Sequence, residues 1–259
     1  MLVPMWYLEK ANMLEITKNY SDILSDELKN QIKEYNKNIE LLKTNTTKSA
    51  ETPTYNINEQ NSTYLNNMYI IARQSLLRRH LDIYSSFEEL WNTEQLLSAS
   101  ILGRALYENL ASLHYLNRGL EKAIVEKDYI SAYKHIGSSL LSCRYKRKKN
   151  TNTFSDIRYP HIMDQLRELD KEIPIMDDYN WLSEFTHPNA LGASLYYSTI
   201  IEEKDKVEFI DKPEIDFYTI SNCLTAPITI GIFHIFYLKS EIISIEMLTT
   251  QWNKNKCQL

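Results

Sequence analysis

Glycine and proline are scarce in this 259-residue chain, which holds five Gly and seven Pro. That is roughly 5% of the residues, against an average near 12%. Sandwiches and barrels need a turn every ten residues or so, built mostly from those two residues, so an all-β fold is excluded. No Gly-rich strand-to-helix turn is present and β-branched runs are few, which disfavours a parallel α/β fold. Cysteine is equally sparse. Cys143, Cys223 and Cys257 form no C-x-x-C pair, so they supply neither a disulfide framework nor a zinc knuckle, and they suit a reducing cytoplasm. Basic charge is not in excess either: the formal net charge is −5, so nucleic acid would need a local basic patch. The first thirteen residues lack a basic start, and Glu9 and Lys10 interrupt their apolar stretch, unlike a signal peptide.

Two apolar stretches could be mistaken for membrane spans. Leu96 to Leu116 carries Arg104 and Glu108, and Thr219 to Leu238 carries Asn222, Pro227 and His234. Mid-span charge is costly in lipid and no basic flank supports insertion, so both are expected as central helices of a soluble, cytoplasmic bundle without membrane contact.

What the chain does have is helical periodicity. Ile16, Tyr20, Leu24, Leu28, Ile32, Tyr35, Ile39 and Leu42 recur at three-and-four spacing, which predicts an amphipathic helix over 14–42 with a coiled-coil-like seam. A Thr/Asn/Ser-rich stretch around Pro53 follows and reads as a linker. The expected organisation is an N-terminal helical arm (1–44), a linker (45–62) and an antiparallel helical bundle (63–259). Within the bundle, helices are expected over 63–91, from the Thr93 cap to about 125, over 129–146, from Pro160 towards Pro174, over 176–186 and over 213–252. A small β-hairpin is expected around 195–210. An arm with an apolar seam needs cover, so a homodimer with 14–42 in the contact is expected.

Chemistry is expected in three places. Arg104 and Glu108 are spaced i, i+4 in an apolar stripe and so touch; they form either a buried ion pair or an anion site in which Glu108 orients Arg104. Ser183 and His187 repeat that spacing on a short helix before Pro188. A histidine in a last turn feels the negative end of the helix dipole, which suits a general acid or base as well as a simple cap. The basic run Arg144 to Lys149, with Arg144, Arg147 and Lys148, is a candidate phosphate patch or a solvated helix end. His114, His135, His161 and His234 have no ligand at metal spacing, so neither a metal nor a cofactor is expected.

The motifs Arg104-Ala-Leu-Tyr-Glu108 and Ser183-Glu-Phe-Thr-His187-Pro188 resemble those of an uncharacterised family of helical bacterial proteins. The layout is similar to the HEPN group, helical bundles found among toxins and phage-defence ribonucleases. The resemblance covers roughly 61–197 and implies a dimeric bundle with a polar site at Arg104, Glu108, Ser183 and His187, and RNA or a nucleotide as target. HEPN ribonucleases carry an Arg and a His separated by four to six residues on one helix. The match to that pattern is Arg73-Gln-Ser-Leu-Leu-Arg-Arg-His80, an alternative pair two turns apart on one face. The expectation is a HEPN-like defence or toxin protein, acting on RNA without metal through His187, or else a non-catalytic module whose polar core specifies a protein partner or antitoxin.

Overall fold

A computed structural model describes residues 13–17, 20, 22–50, 62–141, 161–187, 197–201, 206–210 and 217–252. The chain is an all-α helical bundle. Its helices are α1 (Asp26–Thr44), α2 (Ser62–Asn92), α3 (Leu96–Glu126), α4 (Tyr129–Leu141), α5 (Ile162–Asp170) and α6 (Met176–Glu184), followed by α7 (Phe217–Leu224) and α8 (Ile228–Thr249). Between α6 and α7, β1 (Ser198–Ile201) pairs antiparallel with β2 (Lys206–Phe209), Ser198 opposite Phe209 and Ile201 opposite Lys206. This is the expected hairpin.

The contacts divide the chain into two compact units: Met1–Leu41 with Leu81–Tyr107 and Ile175–Gly231, and Leu42–His80 with Glu108–Pro174 and Ile232–Leu259. In the second unit partner numbers run in opposite senses along α2 and α3: Tyr69 meets Asn117, and Leu76 meets Asn109. The same holds for α2 and α8, where Gln74 meets Tyr237 and Arg73 meets Glu241. α2 therefore runs antiparallel to both α3 and α8, while α3 and α8 run in the same sense, Asn117 meeting Phe236 and Glu121 meeting Lys239. The core of the second unit joins Leu65, Met68, Tyr69 and Ala72 of α2 to Leu116 and Leu120 of α3, with Ile136 of α4 and Ile243 and Met247 of α8.

Two helix ends explain the tight α2–α3 and α3–α4 connections. Glu94 and Lys127 both adopt positive φ, 60° and 52°. The Gln95 N–H reaches Leu90 O at 2.8 Å, and the Asp128 N–H reaches Ala123 O at 2.9 Å. These six-to-one bonds close the terminal carbonyls of α2 and α3. Asp128 then caps α4 by accepting from the Ile130 and Ser131 amides.

Two helices differ from the sequence expectation. The first begins at Asp26, not Leu14, because side chains elsewhere take the preceding backbone. Asn36 bonds both the N–H and C=O of Leu14, and Asn92 bonds Met13 O and Glu15 N. The Trp91 indole donates to Glu15 O. With those groups satisfied there is no gain in coiling them. The seam of α1 is also covered within the chain: Ile32, Ile39 and Leu42 are at most 1% exposed, so the arm itself does not demand a dimer. The last helix is interrupted at Thr225–Pro227, where Pro227 has no N–H to give. Ile220–Thr249 still has the length and apolarity of a membrane span, with 44% of its most apolar window buried.

Lys127 pays the strain of a positive φ in the open; it is exposed. Lys127→Gly is expected to raise stability by about 0.5–1 kcal/mol, read as a higher midpoint in urea. An unchanged or lower midpoint would contradict the strained cap.

Candidate functional site

Arg104 lies in the first unit and is half-buried, not sealed as the apolar stripe around it suggests. Its Nε donates to the Tyr179 hydroxyl at 3.1 Å and its Nη1 to Thr186 Oγ1 at 2.9 Å. The guanidinium carbon stands 5.3 Å from the Tyr179 ring centre. Ser183 Oγ donates to Tyr179 O at 2.7 Å, and Thr186 Oγ1 donates to Ser183 O at 2.7 Å. Arg104 and Ser183 thus share one network that closes the last turn of α6, and the Ser183 proton is used inside its own helix. His187 is exposed immediately after that turn. Gly103, one residue before Arg104, allows the close approach: a Cβ there would lie 2.6 Å from that of Ala226.

The alternative pair lies in the second unit and takes another form. His80 is fully buried and stacks on Phe233, ring centres 4.0 Å apart and 15° from parallel. Burial pushes its pKa down to about 3. Its Nδ1 is 3.4 Å from Asn109 Nδ2, and its Nε2 has no partner among the described residues. Arg73 does not reach towards it; it lies over the Tyr237 ring at 5.3 Å and 3.8 Å from Glu241. His80 is therefore a packed histidine, and Arg73 a largely buried cation that pairs with Glu241. Arg144, Arg147 and Lys148 lie outside the described residues.

The second unit also contains a polar cavity. A cavity of about 490 Å³ lies among α2, α3, α4 and the start of α5. Its polar lining is Ser75 and Arg79 from α2, Glu108, Asn109 and Ser112 from α3, and Ser139 from α4; Ala72, Leu76, Leu140 and Ile162 give it apolar walls. Helical spacing explains the set. Residues 72, 75, 76 and 79 share one face of α2, and 108, 109 and 112 one face of α3. Asn109 is 2% exposed. Its Nδ2 donates to Leu76 O at 2.9 Å, which fixes the orientation of the amide, while Oδ1 has no donor. An amide oxygen buried without a donor costs on the order of 1–3 kcal/mol. Of the residues singled out from sequence, Glu108 alone lines this cavity.

Arg79, Asn109 and the three serines were missed. For Asn109 the signal existed, since it interrupts an apolar run just as Glu108 does. Arg79 sits in the pair Arg78-Arg79 and looks like any solvated charge; Arg78 in fact bonds Thr47 O. Among the described residues no three His, Cys, Asp or Glu side chains are grouped to hold a metal. Compared with family models, curated proteins and solved structures, the chain matches none.

A histidine whose folded pKa lies below its unfolded value binds its proton only on unfolding, so stability falls as pH falls. For His80 the window runs from about 6.5 down to about 3. The loss between pH 7 and pH 5 is expected to be about 2 kcal/mol from this group; His114 and His135, also lowered by burial, act in the same direction. His80→Phe, which keeps the stack on Phe233, is expected to flatten the dependence when urea midpoints are compared at the two pH values. An equal slope in both proteins would show that His80 is protonated in the fold.

Proposed function

We propose that the second unit binds a small ligand of nucleotide size in the cavity of α2, α3 and α4, as part of a HEPN-like helical protein of defence or toxin type. The observation that carries this reading is a cavity large enough for a ligand, with Glu108, Asn109 and three serines in its wall beside Arg79. Glu108 presents a carboxylate to the same space, and Arg79 an exposed cation. A cation beside a polar wall suits a ligand that carries an anionic group together with hydrogen-bonding groups. A nucleoside monophosphate meets both demands. Its phosphate would meet Arg79, and its hydroxyls the serines of the wall.

A second reading, metal-independent RNA cleavage, draws on the first unit. His187 is exposed next to Thr186, which Arg104 bonds. There His187 would move the proton of a ribose 2′-hydroxyl and Arg104 would offset charge on the phosphorane.

Calorimetric titration with the four nucleoside monophosphates tests the first reading, with inorganic phosphate and a zwitterionic amino acid alongside. At least one nucleotide is expected to bind, and Arg79→Ala to weaken it about tenfold with the melting temperature unchanged. Silence from all four would overturn the reading, and binding of the amino acid alone would replace the nucleotide with a zwitterion. RNA incubated with the chain tests the second: cleavage that falls roughly 10²–10⁴-fold in His187→Ala would support it, and intact RNA would remove it.

A further inference from the structure

Helix α8 is apolar on two faces, and the fold covers one of them. Phe233, Phe236, Tyr237, Ile243 and Met247 are buried, whereas Ile235, Leu238, Ile242, Ile245 and Leu248 are 43–66% exposed. The exposed set recurs at intervals of three and four, so it forms one stripe along a helix about 33 Å long. Ile235, Ile242 and Thr249 are seven apart, as are Leu238, Ile245 and Trp252. That is the a and d pattern of a helical pair, with isoleucine at a. Together the five exposed side chains offer on the order of 500 Å² of apolar surface, the size of a patch that marks an interaction site.

The charges beside the stripe choose the occupant and its direction. In the same frame Lys239 and Glu246 take the e positions, and Glu241 a g position. A parallel pair brings g against the partner's e, which sets Glu241 against Glu246 on both sides. An antiparallel pair brings e against e, which sets Lys239 against Glu246 twice and places Ile242 opposite Ile245. Glu246 is exposed. Lys239 already holds Glu121 at 2.9 Å, but an ammonium has three donors, so it can serve both carboxylates. A membrane surface fits less well, because the stripe is bordered by Glu241 and Glu246 and by a single lysine, whereas interfacial helices carry a basic border.

We propose that α8 pairs antiparallel with α8 of a second copy of this chain, giving a two-fold homodimer centred between Ile242 and Ile245. Two copies bury on the order of 1,000 Å² of apolar surface, near the lower limit for a specific interface. The dimer is therefore concentration-dependent, and it rests on neither the cavity nor His187.

Sedimentation equilibrium of the full chain is the test, with circular dichroism to check the fold and flotation on phosphatidylcholine and phosphatidylserine vesicles. Wild type is expected to be a dimer that floats with neither vesicle. Ile242→Asp, at an exposed position, is expected to give a folded monomer. Glu246→Lys is expected to weaken the dimer about tenfold, because it sets two lysines together at each end of the seam, and Lys239→Glu added to it is expected to restore affinity. A monomeric wild type, co-flotation with vesicles, or an Ile242→Asp protein that stays dimeric would each overturn the proposal. So would a Glu246→Lys protein that dimerises more tightly, since that is the outcome of a parallel pair.

Discussion

Two asparagines on α3 set the register of the second unit. Asn117 is 1% exposed; it accepts from the Tyr69 hydroxyl of α2 at 2.8 Å and donates to Phe236 O of α8 at 2.9 Å. Asn109, about two turns earlier, donates to Leu76 O of α2. Each backbone carbonyl is already used within its helix and offers its second lone pair. Apolar packing would tolerate a slip of one turn, because leucine meets leucine either way. A slip that strands a buried amide does not have that freedom. The buried amides therefore hold α2 and α8 in place on α3, and the cavity is assembled where Asn109 is held.

This explains how unevenly the sequence could be read. Helices and their hairpin connections follow from periodicity and caps, which are local: Asp128 both ends one helix and begins the next. The start of α1 could not be read that way, because Asn36 takes the backbone of Leu14, and Asn92 that of Met13 and Glu15. An apolar period continues through Leu14 and Ile16 whether or not the backbone does. The break at Pro227 was legible, and the apolar residues on both sides of it obscured it.

The site was less legible than the fold, for a reason of the same kind. Arg104 and Glu108 attract attention as charges in an apolar stripe, and spacing alone says that they touch. Spacing does not say what else competes for them. Tyr179 of α6 and Thr186 just beyond it, more than seventy residues away, also bond the Arg104 guanidinium. His80 shows the converse. A histidine seven residues after an arginine looks like a pair, but α8 brings Phe233 onto the imidazole and removes it from water.

Residual need distinguishes the two asparagines. Asn117 has both ends of its amide engaged. Asn109 has one, and its Oδ1 is buried without a donor among the described residues, in a side chain that lines the cavity. A folded chain that retains an unserved acceptor at such a place forgoes stability that an apolar residue would have supplied. The same reasoning applies to α8, whose outer isoleucines forgo burial. The proposed second copy would meet that need, because it brings apolar surface with the opposite order of charges.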